Sequence, residues 1–157
     1  MKRLYLLRHA KSSWDDADVA DHDRPLSGRG RRAADAIGRH LRAERIEPEL
    51  VLCSSSTRTR ETLARIGLDG EIERELYGAS AGELIPRLRA VARGIESVLV
   101  IGHNPGIHEL ALALANGPHD SYPTGALATI DLDIDEWRAI VAGRGRLMDF
   151  VRPRELA

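Results

Sequence analysis

Cysteine is nearly absent from this 157-residue chain, with Cys53 the only one. A lone cysteine excludes an internal disulfide framework and the Cys-rich zinc modules. Aromatic residues number two Trp, three Tyr and one Phe, too few for a base-stacking platform. No charge of one sign prevails. The 23 Lys and Arg face 24 Asp and Glu, for a formal net charge of −1. That balance argues against a general nucleic-acid binder, which needs a basic face. Long hydrophobic runs are missing as well. Nothing approaches the roughly 18 apolar residues of a membrane span. Leu4-Tyr5-Leu6-Leu7, behind Lys2 and Arg3, is too short for the apolar core of a signal peptide. The expected location is the reducing cytoplasm, with neither nucleic acid nor membrane as partner.

What is present is a globular balance, 43% apolar and 30% charged residues, at a length that suggests a single domain spanning 1–157. Arg3–Arg8 reads as a short buried strand. Residues 9–26 form a long polar loop holding Asp15, Asp16, Asp18, Asp21 and Asp23. Loops of this length in compact domains are usually functional or mobile. Ser27 caps a helix expected to run to about Ile46, with Ala33, Ile37 and Leu41 on its apolar face. Leu50–Cys53 reads as a second strand, followed by three serines and a helix through Arg60 to about Ile66. Residues 71–75 suggest a short strand. Ser80 and Glu83 form a capping box ahead of the stripe Leu84, Leu88, Val91. Val98–Ile101 is the cleanest buried strand. A helix follows from near Gly106 to Asn116-Gly117-Pro118, then a strand over 126–132 and a further one within 137–151. Alternating strands and helices predict an α/β fold, a three-layer sandwich with a mostly parallel central sheet flanked by helices.

In such sheets ligands sit outside the carboxyl ends of the strands. The first strand ends in Arg8-His9. The second leads through the serines to Arg58. The Val98–Ile101 strand ends in Gly102-His103-Asn104-Pro105-Gly106. If these strands are neighbours, two Arg, two His and two helix N-termini converge on one crevice. Free amides, the helix dipole and guanidinium groups together favour phosphate. Singly, each motif reads as an ordinary turn or surface residue. Their joint position at strand ends is what carries the signal.

Arg8-His9-Ala10 resembles the Arg-His-Gly signature of the histidine phosphatase superfamily, also called phosphoglycerate-mutase-like. Asp23-Arg24-Pro25-Leu26-Ser27-x-x-Gly30 is similar to its helix entry. Cys53-Ser54-Ser55-x-x-Arg58-x-x-x-Thr62 resembles its second arginine motif, and Val100–Pro105 its second-histidine motif. The short chain and the Arg-His-Ala-Lys-Ser start resemble most the SixA-like phosphohistidine phosphatase branch. The departure is Ala10 in place of Gly. The resemblance implies His9 as nucleophile, with Arg8, Arg58 and His103 holding the phosphoryl group and no metal or cofactor. A neutral imidazole attacks phosphorus in line. Arg8 and Arg58 are expected to keep it unprotonated by like-charge repulsion. Arg24, Ser54 and Asn104 are further candidates to contact substrate, and Ser55 and Thr57 further hydrogen-bond donors.

Larger relatives protonate the leaving group with Glu or Asp from a segment after the second arginine. Glu73-Arg74-Glu75-Leu76-Tyr77-Gly78 partly resembles that segment, and Glu75 is the candidate acid, although a solvent-facing carboxylate is the plainer reading. The P–N bond of phosphohistidine depends less on a strong acid. That favours phosphohistidine on a partner protein over a small phosphate ester or phosphoanhydride, and both classes stay open. Three rivals also stand. A cysteine phosphatase needs Cys-x5-Arg, which the Cys53-to-Arg58 and Cys53-to-Arg60 spacings both miss. A metallohydrolase would use His9, His22, His103 or His108. A non-catalytic phosphate- or phosphoprotein-binding module would bind without turnover.

Overall fold

The computed structural model describes residues 1–156. Its centre is a six-stranded sheet in the order β3-β2-β4-β1-β5-β6. The strands are β1 (Lys2–Arg8), β2 (Leu50–Ser54), β3 (Glu71–Glu73), β4 (Ser97–Gly102), β5 (Leu127–Leu132) and β6 (Gly145–Val151). The pairs β1–β4, β2–β4 and β2–β3 are parallel, and β5 pairs antiparallel with both β1 and β6. Five strands therefore run one way and β5 alone runs back. The sheet is mixed and mostly parallel, as the alternation of elements predicts.

Each buried strand feeds both faces because successive side chains alternate. Leu4, Leu6, Leu52, Val98 and Val100 face one core, closed by α3 (Ala81–Arg89) and α4 (Gly106–Ala115). Tyr5, Leu7, Val51, Leu99 and Ile101 face the other, closed by α1 (Gly28–Ala43) and α2 (Thr57–Ile66). Continuous apolar runs in the sequence are thus two-sided strands between helical layers.

Helix starts follow their caps. The Ser27 side chain accepts from the Gly30 amide, Ser56 from Thr59, and Ser80 from Glu83 in a full capping box. Helix α1 ends at Ala43, three residues before the expected Ile46. Arg45 turns into the left-handed region at φ 55°, and Ile46 folds back to donate to the Leu41 carbonyl at 2.8 Å. Its inner face is Ala34, Ile37 and Leu41, while Ala33 is half-buried. Residues 74–76 form a 3-10 turn, so β3 stops at Glu73.

Two helical glycines are required by close approach. A Cβ on Gly30 would lie 1.9 Å from the Lys11 carbonyl oxygen, and one on Gly106 1.8 Å from that of Ala79. The first lets α1 press against the chain just after His9.

Candidate active site

Strand register brings the sequence candidates together. Arg8 pairs with Gly102, and Cys53 with Ile101, so β1, β2 and β4 end side by side. Arg8, His9, Arg24, Arg58, His103 and Asn104 line one cavity of about 340 Å³. Lys11, Ser12, Trp14 and Thr124 complete its wall.

His9 is 7% exposed. Its Nδ1–H donates to the Ala10 carbonyl at 2.7 Å. A carbonyl can only accept, so in the neutral ring Nε2 carries the lone pair. No residue among those described bonds to that nitrogen. Burial is the main force holding the His9 pKa down to about 3. The charges of His103, Arg58 and Arg8 push the same way, and the Ala10 hydrogen bond opposes them. Desolvation thus outranks the arginine repulsion expected from sequence. The Ala10 amide donates to Thr62 Oγ1 at 3.1 Å, which ties the His9 peptide to α2.

Arg58 sits in the first turn of α2 and is 6% exposed, not the solvated helix residue that it suggests in isolation. Its Nη1 donates to the Asp21 carbonyl at 2.7 Å and its Nη2 to Asp21 Oδ2 at 3.1 Å. Arg8 Nη1 donates to the Tyr122 carbonyl at 3.0 Å. The Nε groups of both arginines are buried with no hydrogen-bond partner among the described residues. A buried donor is costly to leave unpaired. An oxyanion between the two guanidinium groups is the kind of acceptor that they lack.

His103 is 6% exposed, with its ring centroid 5.3 Å from that of His9. Nη2 of Arg58 points a proton at its Nδ1 from 3.5 Å. The neutral ring therefore keeps its proton on Nε2, which donates to Ser54 Oγ at 2.7 Å. Burial first, then Arg58, lowers the His103 pKa to about 4. Asn104 Nδ2 donates to the Tyr122 carbonyl at 3.0 Å, and its buried Oδ1 is unpartnered. Arg24 is buried. It donates to Ser12 Oγ at 2.7 Å and to Asp21 Oδ1 at 3.2 Å.

Ser54, fully buried outside the cavity lining, reaches the site only through His103 and not as a substrate contact, and Glu75 is not brought in at all. Glu75 lies exposed on the 3-10 turn, outside the cavity lining, and its charge acts on Arg87. Ser55 bonds His22 Nε2 at 2.8 Å. Thr57 lines a separate hollow with Arg60, Glu61 and Ala64.

Asp21 and Tyr77 are the members that sequence reasoning passed over. Asp21 grips Arg58 and Arg24 at once, and the Tyr77 hydroxyl donates to its carboxylate. The Tyr77 bond and Arg58 hold the Asp21 pKa down to about 2. Among five loop aspartates nothing local marks Asp21. Tyr77 stands inside the segment singled out for Glu75, so that segment was the available signal.

Cys53 is buried in β2, and desolvation lifts its pKa to about 12. That is the opposite of the low-pKa thiolate that a cysteine phosphatase requires. Among the described residues no three His, Cys, Asp or Glu gather to hold a metal ion. No helix among them is long and apolar enough to cross a membrane.

Comparison with known proteins agrees with this geometry. A family model described as "Histidine phosphatase superfamily (branch 1)" matches residues 4–84. An uncharacterised protein of Mycobacterium tuberculosis is 36% identical over 160 residues, covering 94% of this chain and 100% of that protein. The phosphohistidine phosphatase SixA of Escherichia coli is 29% identical over 140 residues, covering 83% of this chain and 86% of that one. A solved structure of the protein histidine phosphatase SixA complexed with tungstate superposes with a TM-score of 0.83 at 27% identity, covering 99% of each chain. The family match, which spans more than half of the chain, places it: it belongs to the histidine phosphatase superfamily, branch 1.

Proposed function

We propose that this protein is a phosphatase working through a covalent phosphohistidine on His9, and that its substrate is phosphohistidine carried by a partner protein. The observation that carries the reading is the state of His9: neutral, with Nδ1–H held by the Ala10 carbonyl, in a cavity walled by Arg8 and Arg58. Its Nε2 lone pair attacks phosphorus in line as the bond from phosphorus to the substrate imidazole breaks. The departing imidazole takes its proton from solvent. Arg8 and Arg58 hold the phosphoryl oxygens and stabilise their charge in the transition state, and His103 joins them when the arriving phosphoryl dianion favours its charged form and Nδ1 takes up a proton to donate. Arg24 and Asn104 support that cradle from its walls, and Ser54 supports it from behind through His103. Water then attacks phosphorus, the Nε2–P bond breaks, phosphate leaves and His9 returns neutral. The guanidinium groups supply the positive charge that this pathway requires.

The substrate class follows from the missing acid. Glu75 lies outside the cavity lining. Asp21, the carboxylate bound to Arg58, is ionised at neutral pH because its pKa is near 2. Neither is a protonated acid ready for an alkoxide leaving group. A P–N bond places less demand on such an acid, and similar proteins named as phosphohistidine phosphatases support the same choice. The whole chain 1–157 is then one catalytic domain, and its single buried thiol suits the reducing cytoplasm.

The test is phosphate release from a phosphohistidine protein and from an aryl phosphate, for wild type and His9→Ala, with EDTA present throughout. The expected result is release by wild type alone, faster from phosphohistidine. Release by His9→Ala would place the nucleophile elsewhere. Binding without release by wild type would favour the non-catalytic module.

A further inference from the structure

A second cleft, of about 280 Å³, adjoins the His9 cavity and shares Lys11 and Thr124 with it. Its other charged lining residues are Arg29, Arg152 and Arg154, and no carboxylate lines it among the described residues. Arg152 is held by Glu155 at 3.2 Å. The other cations have no ion-pair partner among the described residues. Four cations around one small cleft stand out in a chain whose net charge is −1.

The position of Arg29 in its helix points the same way. The first turn of α1 contains Arg29 and no acidic residue. A helix N-terminus favours negative charge and disfavours cations. An arginine in that turn has no carboxylate of its own helix start to offset the dipole, and an anion arriving from outside supplies that offset.

The rim indicates the size of what arrives. Trp14 borders the His9 cavity with 75% of its surface exposed, and the Arg24 guanidinium carbon lies 3.4 Å from its ring centroid. An exposed indole held in place by a buried arginine resembles the anchors of macromolecular interfaces. Indole, phosphate cavity and basic cleft together form a surface broader than one small phosphate needs.

We propose that the basic cleft receives acidic side chains of the phosphohistidine-bearing partner, next to the phosphoryl group at His9. This rests on the reading of a phosphohistidine-protein substrate. Arg29 and Arg154 pair with carboxylates near the phosphohistidine, and the resulting attraction is screened by salt.

The experiment compares three substrates: a phosphohistidine peptide flanked by Asp and Glu, the same peptide flanked by Asn and Gln, and free phosphohistidine. The enzymes are wild type, the double variant Arg29→Ala/Arg154→Ala and the double variant Arg29→Glu/Arg154→Glu. Wild type is expected to prefer the acidic peptide by about tenfold in kcat/KM, through KM, as two exposed ion pairs allow. Added salt removes the preference. The alanine variant loses it and the glutamate variant reverses it, while both turn over free phosphohistidine at the wild-type rate, which shows that they are folded. Equal use of both peptides by wild type, with free phosphohistidine turned over, overturns the docking proposal alone. A preference that survives in both variants overturns it too. Competition by inorganic pyrophosphate that depends on Arg29 and Arg154, without a peptide preference, assigns the cleft to a small polyanion instead. Failure of wild type on all three substrates overturns this proposal together with the phosphohistidine reading beneath it.

Discussion

At the scale of single residues, the site depends on neutral histidines kept so by burial. The sign of the linkage is set by their lowered pKa values. Unfolded, both rings bind a proton below about 6.5. Folded, His9 resists it down to about 3 and His103 down to about 4. The unfolded state therefore binds more protons as pH falls from 6.5 towards 4, and folded stability drops across that window. The urea midpoint of wild type should decline there, and His9→Gln should decline less steeply. Identical slopes would contradict the burial account of His9. Asp21 carries a second residue-scale expectation. Its carboxylate and carbonyl both hold Arg58, while its charge opposes an incoming anion. Asp21→Asn should bind tungstate more tightly yet lower kcat about tenfold, the worth of one charge-assisted hydrogen bond. Tighter binding with unchanged kcat would show that Asp21 does not position Arg58.

At the scale of elements, the close contact of α1 with the segment after His9 is the feature most open to test. Gly30 has no room for a Cβ, because the Lys11 carbonyl lies 1.9 Å from where it would sit. The Ser27 amide donates to that same carbonyl at 2.9 Å. Gly30→Ala must push helix and loop apart, although alanine is the better helix former. A loss of about 2 kcal/mol in urea unfolding is expected, within the usual range for overpacking. Unchanged or increased stability would mean that α1 shifts freely and does not hold the loop. The elements themselves were legible in the sequence for a physical reason. Runs such as Val98–Ile101 are buried on both faces, and capping serines at 27, 56 and 80 mark helix starts. The end of α1 was not legible, because it depends on Arg45 entering a left-handed conformation that sequence does not announce. For Glu75 the plainer reading, a solvent-facing carboxylate, is the one that holds. Leu76 turns inward from the 3-10 turn and leaves Glu75 facing solvent.

At the scale of the whole molecule, strand order makes the site. Parallel β2, β4 and β1 put Ser54, His103 and His9 on one edge, and α2 brings Arg58 to it. Those residues could be read in advance because the carboxyl edge of such a sheet gathers its ligands. The reversed β5 adds a further wall. The chain climbs back past the site before that strand, so the Tyr122 carbonyl meets both Arg8 and Asn104. Asp21, Tyr77 and the basic cleft were not readable in advance, because they join distant segments and Asp21, Tyr77, Arg29 and Arg154 do not stand directly at the carboxyl end of a strand. Asp21 lies 56 positions from Tyr77, and Arg29 shares its cleft with Arg154 at the other end of the chain. The central claim is a covalent bond between phosphorus and His9 Nε2. The direct measurement is rapid quench of wild type and His9→Ala with a phosphohistidine donor, followed by mass analysis of the peptide that contains residue 9. The account requires an acid-labile, base-stable phosphoryl group on His9 in wild type, formed and lost fast enough for turnover, and none on that peptide in the variant. Turnover by wild type with no phosphoenzyme, or with the label on another residue, would contradict it.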